Sequence, residues 1–155
     1  MKIESFDFSK NKETYIVAEL SANHNQDFKT AIDTIKAAKE IGCNAVKIQT
    51  YTPDTITIDC NKKDFLIKGT IWGGDSLYSL YKKAYTPWEW HKELFDVAKK
   101  TGITLFSTPF DKSSVDFLEK LNTPAYKIAS FEITDIPLIK YIAQKNKPII
   151  QVIFR

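Results

Sequence analysis

At 155 residues, 43% hydrophobic and 26% charged, the chain has the composition of one soluble globular domain. Its net charge of +3 is too small to argue for a nucleic-acid partner. No apolar run reaches the length of a membrane span and MKIESFDF is no signal peptide, so a cytoplasmic protein without a membrane partner is expected. Cys43 and Cys60 form no CxxC pattern and read as free thiols.

Residues 1–14 are polar and read as a lead-in. Tyr15–Leu20, YIVAEL, is a first strand, and SANHNQD a loop. Asp27 is placed to cap a helix from Phe28 to about Ile41. Ala31, Ile32, Ile35 and Ala38 fall at helical spacing, and Gly42 closes it. Ala45–Thr50, AVKIQT, is a second strand. Residues 51–85 hold Pro53, Gly69, Gly73, Gly74 and the aromatics Phe65, Trp72, Tyr78, Tyr81 and Tyr85. They are too many for an ordinary connection and predict an insertion over the carboxyl end of the sheet, with a short helix at Asp75–Lys83.

Thr86-Pro87-Trp88-Glu89 has the pattern of a capping box with proline at the first helical position. The helix runs to about Lys100, and Gly102 caps it. Ile103–Ser107 is a third strand, followed by a helix from about Lys112 to Leu121 that buries Val115, Leu118 and Leu121. Tyr126–Ala129 is a fourth strand, within an apolar run YKIASFE. Asp135 caps a helix carrying Leu138, Ile139, Ile142 and Ala143, and Ile149–Phe154 is a fifth strand. This alternation gives a doubly wound sheet or a (β/α) barrel. There is no GxGxxG after the first strand and no Walker-type loop, which removes the main support for a nucleotide site.

Each strand is polar at its exit, where parallel α/β sheets carry their sites. Lys47 alternates with Ala45 and Gln49, so the three share one face. Such a lysine either reaches out to pair with Glu19 or joins Lys127 to hold a dianion, a phosphate with a carboxylate. Ser107, Thr108 and Ser130 would add hydroxyl donors. Glu19 and Glu132 serve as lysine partners or caps, or else bind sugar hydroxyls and move a proton. His24 reads as a hydrogen-bonding loop residue and His91 as surface or packing; together they make no metal motif. A lysine in a strand also allows a Schiff-base aldolase with Lys47 or Lys127 as nucleophile.

IVAELSANHN, AVKIQTY, FSTPFD, PAYKIASFEITDIPLIK and KPII together resemble the N-terminal barrel of the sialic acid synthase family, from residue 15 to about 150. AELSANHN and LYKKAYTPWEW are more similar to its pseudaminic acid synthases than to its N-acetylneuraminate synthases. The resemblance implies an incomplete (β/α)8 TIM barrel, about (βα)4β, with residues 1–155 as its N-terminal part. The remaining strands and a C-terminal antifreeze-like domain would be absent. It implies a condensation of phosphoenolpyruvate with an open-chain N-acetylated amino-sugar aldehyde, a diacetamido-trideoxy-altrose, giving a nonulosonic acid and phosphate.

By the same resemblance Lys47 and Lys127 hold phosphoenolpyruvate, and Thr108 and Ser130 are its hydroxyl contacts. Gln49 is a neighbouring polar position, Glu19 a sugar-binding carboxylate and Glu132 an acidic group at the reacting centre. The segment Thr70–Trp72 falls where the family contacts the sugar. A divalent metal, manganese or magnesium, is implied, with histidine ligands on later strands that this chain does not contain, as is a homodimer. In the family KPII leads into a serine-threonine-glycine turn; here QVIFR follows, and Arg155 is the one arginine among lysines. The expectation is a truncated or frameshifted chain broken near Ile150 and inactive alone. The alternatives to the synthase are a non-catalytic fragment with open sheet edges and the Schiff-base aldolase using Lys47 or Lys127.

Overall fold

A computed structural model describes residues 1–69 and 73–151. The chain begins with a two-stranded antiparallel hairpin, β1 (Lys2–Ile3) and β2 (Phe6–Asp7). Then come β3 (Val17–Glu19), α1 (Phe28–Glu40), β4 (Ala45–Thr50), α2 (Pro53–Ile56), a 3-10 turn at Lys63–Phe65, α3 (Leu77–Ala84) and α4 (Trp88–Thr101). They are followed by β5 (Thr104–Pro109), α5 (Lys112–Lys120), β6 (Tyr126–Ile128), a 3-10 turn at Ser130–Glu132, α6 (Ile136–Ala143) and β7 (Ile149–Gln151).

Strands β3 to β7 lie side by side in chain order, all parallel. Sequential parallel strands with a helical crossover between each pair give the incomplete (β/α)8 barrel, (βα)4β, expected from the sequence. Side-chain parity separates its two faces. Val46, Ile48 and Leu105 point outward and pack with Ala31, Ile35, Leu94 and Ala98 of α1 and α4. Tyr126 and Ile128 do the same against Val115, Leu118, Leu138 and Ile142 of α5 and α6. Ala45, Phe106 and Ile150 point the other way, into the concave face, with Ile3, Val17 and Tyr15.

Local signals explain most boundaries. The Asp27 carboxylate accepts from Thr30 N, and Asp135 from Leu138 N, each answering an orphan amide of a first turn. Gly102 closes α4 in the left-handed region at φ 74°.

Three expectations need correction, and one strand bound is refined. Residues 1–14 are no mere lead-in: Ile3 is 1% exposed and plugs the concave face at the strands' amino ends. Alternating Ile3 and Phe6 across the Glu4–Ser5 turn pair the two short strands. The capping box at Thr86 does not form, because Thr86 Oγ1 faces His24 Nε2 at 3.3 Å and Pro87 is the cap. The fourth strand, expected over Tyr126–Ala129, pairs over Tyr126–Ile128 with Ala129 still extended, and a 3-10 turn follows at Ser130–Glu132. The insertion has a second helix, α2, besides the expected α3. Residues 152–154 of the expected fifth strand, and the expected sugar contact at 70–72, lie outside the described residues.

Candidate functional site

Register brings the candidate residues together at the carboxyl ends of the strands. Glu19 of β3 stands abreast of Lys47 of β4, and Gln49 abreast of Thr108 of β5. Lys127 of β6 shares their inward parity, since both its neighbours, Tyr126 and Ile128, face the helices. Ser130 and Glu132 follow on the 3-10 turn at the exit of β6.

The charges are close and partly buried. Lys47, its side chain 11% exposed, makes an ion pair with Glu19, so the pairing foreseen as one reading of Lys47 is present. Burial pushes the Lys127 ammonium below the ordinary lysine range, and the Lys47 charge adds to this, opposed by Glu19 and Glu132. Burial raises Glu132 to about 7, with the Asp135 charge adding and Lys127 opposing. Two polar atoms here are buried without a partner among the described residues: Thr108 Oγ1 and Glu132 Oε2. A buried hydroxyl and a buried carboxyl oxygen left unpaired are costly, and a ligand arriving between two ammonium groups could satisfy both.

Ser107 does not join them. Neighbouring positions on a strand face opposite sides, so Ser107 points outward when Thr108 points inward. Its hydroxyl meets Thr50 Oγ1 at 2.6 Å and Ile48 O at 3.1 Å. His91, expected at the surface or in packing, is fully buried in the same outer layer. Its Nδ1 lies 3.1 Å from Pro87 O, a pure acceptor, so Nδ1 carries the proton and Nε2 accepts from Thr50 at 2.9 Å. Desolvation lowers His91 to about 4, which keeps the ring neutral. His24, also buried, accepts from Gln26 N at Nδ1 and therefore donates from Nε2 to Thr86. Both histidines thus serve packing and loop anchoring, as the sequence suggested for His24.

The insertion closes over this end of the sheet. Tyr51, Phe110 and Ala129 form a buried cluster with Ile56, Tyr81 and Tyr85 partly buried against it. Among the described residues no three His, Cys, Asp or Glu side chains converge as a metal set. The described residues therefore do not build a metal centre by themselves.

The model of the NeuB family matches residues 34–152. The chain belongs to the NeuB family. It is 49% identical over 143 residues to the pseudaminic acid synthase of Campylobacter jejuni, covering 92% of this chain and 42% of that one. It is 53% identical over 135 residues to the pseudaminic acid synthase of Helicobacter pylori, covering 87% and 40%. The crystal structure of an N-acetylneuraminic acid synthetase from Leptospira borgpetersenii, in complex with citrate, superposes with a TM-score of 0.76 at 26% identity, over 90% of this chain and 44% of that one. The chain thus spans about two-fifths of the length of the curated relatives it matches.

The resemblance read from AELSANHN and PAYKIASFEITDIPLIK is therefore borne out at the level of family. One neighbour of the site escaped the sequence reading: Ser21, whose hydroxyl donates to Gln49 Oε1 at 3.0 Å. The small-residue stretch after the first strand was its only signal.

Proposed function

We propose that the chain carries the phosphoenolpyruvate-binding part of a synthase that condenses this acid with an N-acetylated amino-sugar aldehyde, releasing phosphate. The observation that carries the reading is the convergence of Lys47 and Lys127 beside the unpartnered Thr108 hydroxyl. Two ammonium groups compensate a phosphate and a carboxylate, and Thr108 and Ser130 donate to their oxygens. Glu19, ion-paired with Lys47, turns towards sugar hydroxyls when the anion takes its place. Glu132 is near half protonation at neutral pH. It is suited to protonate the aldehyde oxygen as the enol carbon attacks the aldehyde carbon. Water then adds to the resulting oxocarbenium carbon and phosphate leaves by C–O cleavage.

Residues 1–155 act in this reading as one unit, the N-terminal part of the synthase barrel. A divalent metal ion and a homodimer belong to the reading as well.

Calorimetric titration with phosphoenolpyruvate tests the proposal. Binding is expected, and Lys127→Met should weaken it about ten- to a hundredfold, the loss of one charge-assisted contact. A chain that ignores phosphoenolpyruvate at millimolar concentration sinks the reading. Phosphate release with the sugar and manganese then reports whether the reaction proceeds. The depressed lysine gives the aldolase its one supporting observation. Borohydride trapping with pyruvate separates the two, and a covalent adduct on Lys127 would favour the aldolase.

A further inference from the structure

An aromatic ring follows each of three successive strands at the carboxyl end of the sheet. Tyr51 comes directly after β4, Phe110 directly after β5, and Phe131 lies on the 3-10 turn after β6. They touch in that order, and Tyr81 of α3 joins the row at one end. Tyr81 meets Tyr51 edge to face with ring centres 5.5 Å apart, and Tyr51 meets Phe110 the same way at 5.3 Å. Phe110 stacks on Phe131 at 5.6 Å with 26° between the ring planes. All three contacts lie within the favourable range for aromatic pairs.

The last ring differs from the others. Tyr51 and Phe110 are buried, whereas Phe131 is 61% exposed. An exposed apolar side chain is ordinary in itself; what marks this one is its place between Ser130 and Glu132.

The turn that carries all three has little else to hold it. No side chain caps it. Glu132 N donates to Ala129 O at 3.2 Å, and Asp135 N donates to Glu132 O at 2.9 Å. Yet Glu132 Oε2 stays buried without a partner among the described residues. An unpaired carboxyl oxygen gains by swinging out to water unless its backbone is restrained. The face of Phe110 supplies that restraint, and Tyr51 and Tyr81 fix the face in turn.

We propose that Phe131 is a positioning residue: its ring, laid on Phe110, holds the turn that presents Ser130 and Glu132 at the exit of β6. The proposal rests on the roles given above to those two residues. A stacked pair is weak on the scale of a whole fold, but it is enough to change severalfold how often a three-residue turn is in place. Losing the ring should therefore cost the site more than the fold.

Carbon-13 NMR on the whole chain, labelled at the glutamate carboxyl carbons, follows Glu132 directly, and Glu132→Gln assigns its signal. In the parent the midpoint is expected at about 7. Phe131→Ala should bring it down towards the ordinary 4.5 as water reaches the carboxyl, with Asp135, Lys127 and Tyr81, the other groups facing it, left in the sequence. Phe131→Tyr keeps the stack and should titrate as the parent does. Phosphoenolpyruvate should bind the alanine chain about two- to tenfold more weakly and the tyrosine chain as before. The thermal midpoint of the alanine chain should fall by no more than about 5 °C.

A Phe131→Ala chain that matches the parent in titration and affinity overturns the proposal. So does a Phe131→Tyr chain that behaves like the alanine chain. Phe131→Leu decides if the alanine chain does not fold: it lacks the aromatic face, should shift the same way, and overturns the role if it matches the parent. A parent Glu132 that titrates near 4.5 is a different result. It overturns the reading of Glu132, and phosphoenolpyruvate affinity then decides whether Phe131 positions Ser130. A parent chain that ignores phosphoenolpyruvate overturns the anion site instead, and the titration then decides.

Discussion

Glu132 shows how much one side chain's surroundings decide. On a strand exit in water it would be an ordinary carboxylate near 4.5; against Tyr81 and under the insertion it is raised to about 7. The folded chain therefore holds a proton that the unfolded chain has released between those values, and stability falls as pH rises through that window. His91 acts in the opposite sense. Its folded value of about 4 lies below the ordinary 6.5, so the unfolded chain binds more protons there and stability is lost as pH falls. Glu132→Gln removes the first effect and leaves the second. Thermal midpoints at about pH 5 and about pH 8 should show the variant gaining on the parent at the higher pH. An unchanged difference between the two chains across that range would mean Glu132 is not held neutral.

At the level of elements, β4, β5 and α4 are joined by a buried relay: Ser107 to Thr50, Thr50 to His91, His91 to Pro87 O. Thr50→Val keeps the shape but leaves His91 Nε2 and Ser107 short of a partner. Urea unfolding should show a loss of about 1–3 kcal/mol. A loss within error of zero would mean the relay contributes only packing.

The elements themselves were largely legible in the sequence. AVKIQT and the α1 pattern announced their bounds because periodicity, capping residue and closing glycine agreed. What stayed hidden depended on distant partners. Nothing local says that Thr86 will face His24, sixty-two positions earlier in the chain. Nor does composition choose between Ser107 and Thr108; only strand parity does, once the outer face is known. Lys47 and Lys127 were legible as a pair because a charge inside an apolar strand has few reasons to be there.

For the molecule as a whole, the amino-terminal hairpin is the unexpected structural part. Ile3 reaches from β1 to Ala45, Phe106 and Ala125 and closes the floor of the concave face. Ile3→Ala should therefore cost about 2–5 kcal/mol in chemical denaturation, the range for emptying a core position. A true lead-in would lose almost nothing. The same strands that stand on this floor carry the lysines at their other ends.

That double duty of β4 has a consequence for how the protein can change. Lys47 and Ile48 are back to back on one ribbon, one paired with Glu19 on the concave face and the other packed in the oil beneath α1 and α4. Adding a single residue before Lys47 would turn the ribbon over and spoil the ion pair and the outer packing in one stroke. Adding two would restore the sides yet slide the lysine a step away from Glu19. Variation here can exchange one side chain for another but cannot lengthen the thread.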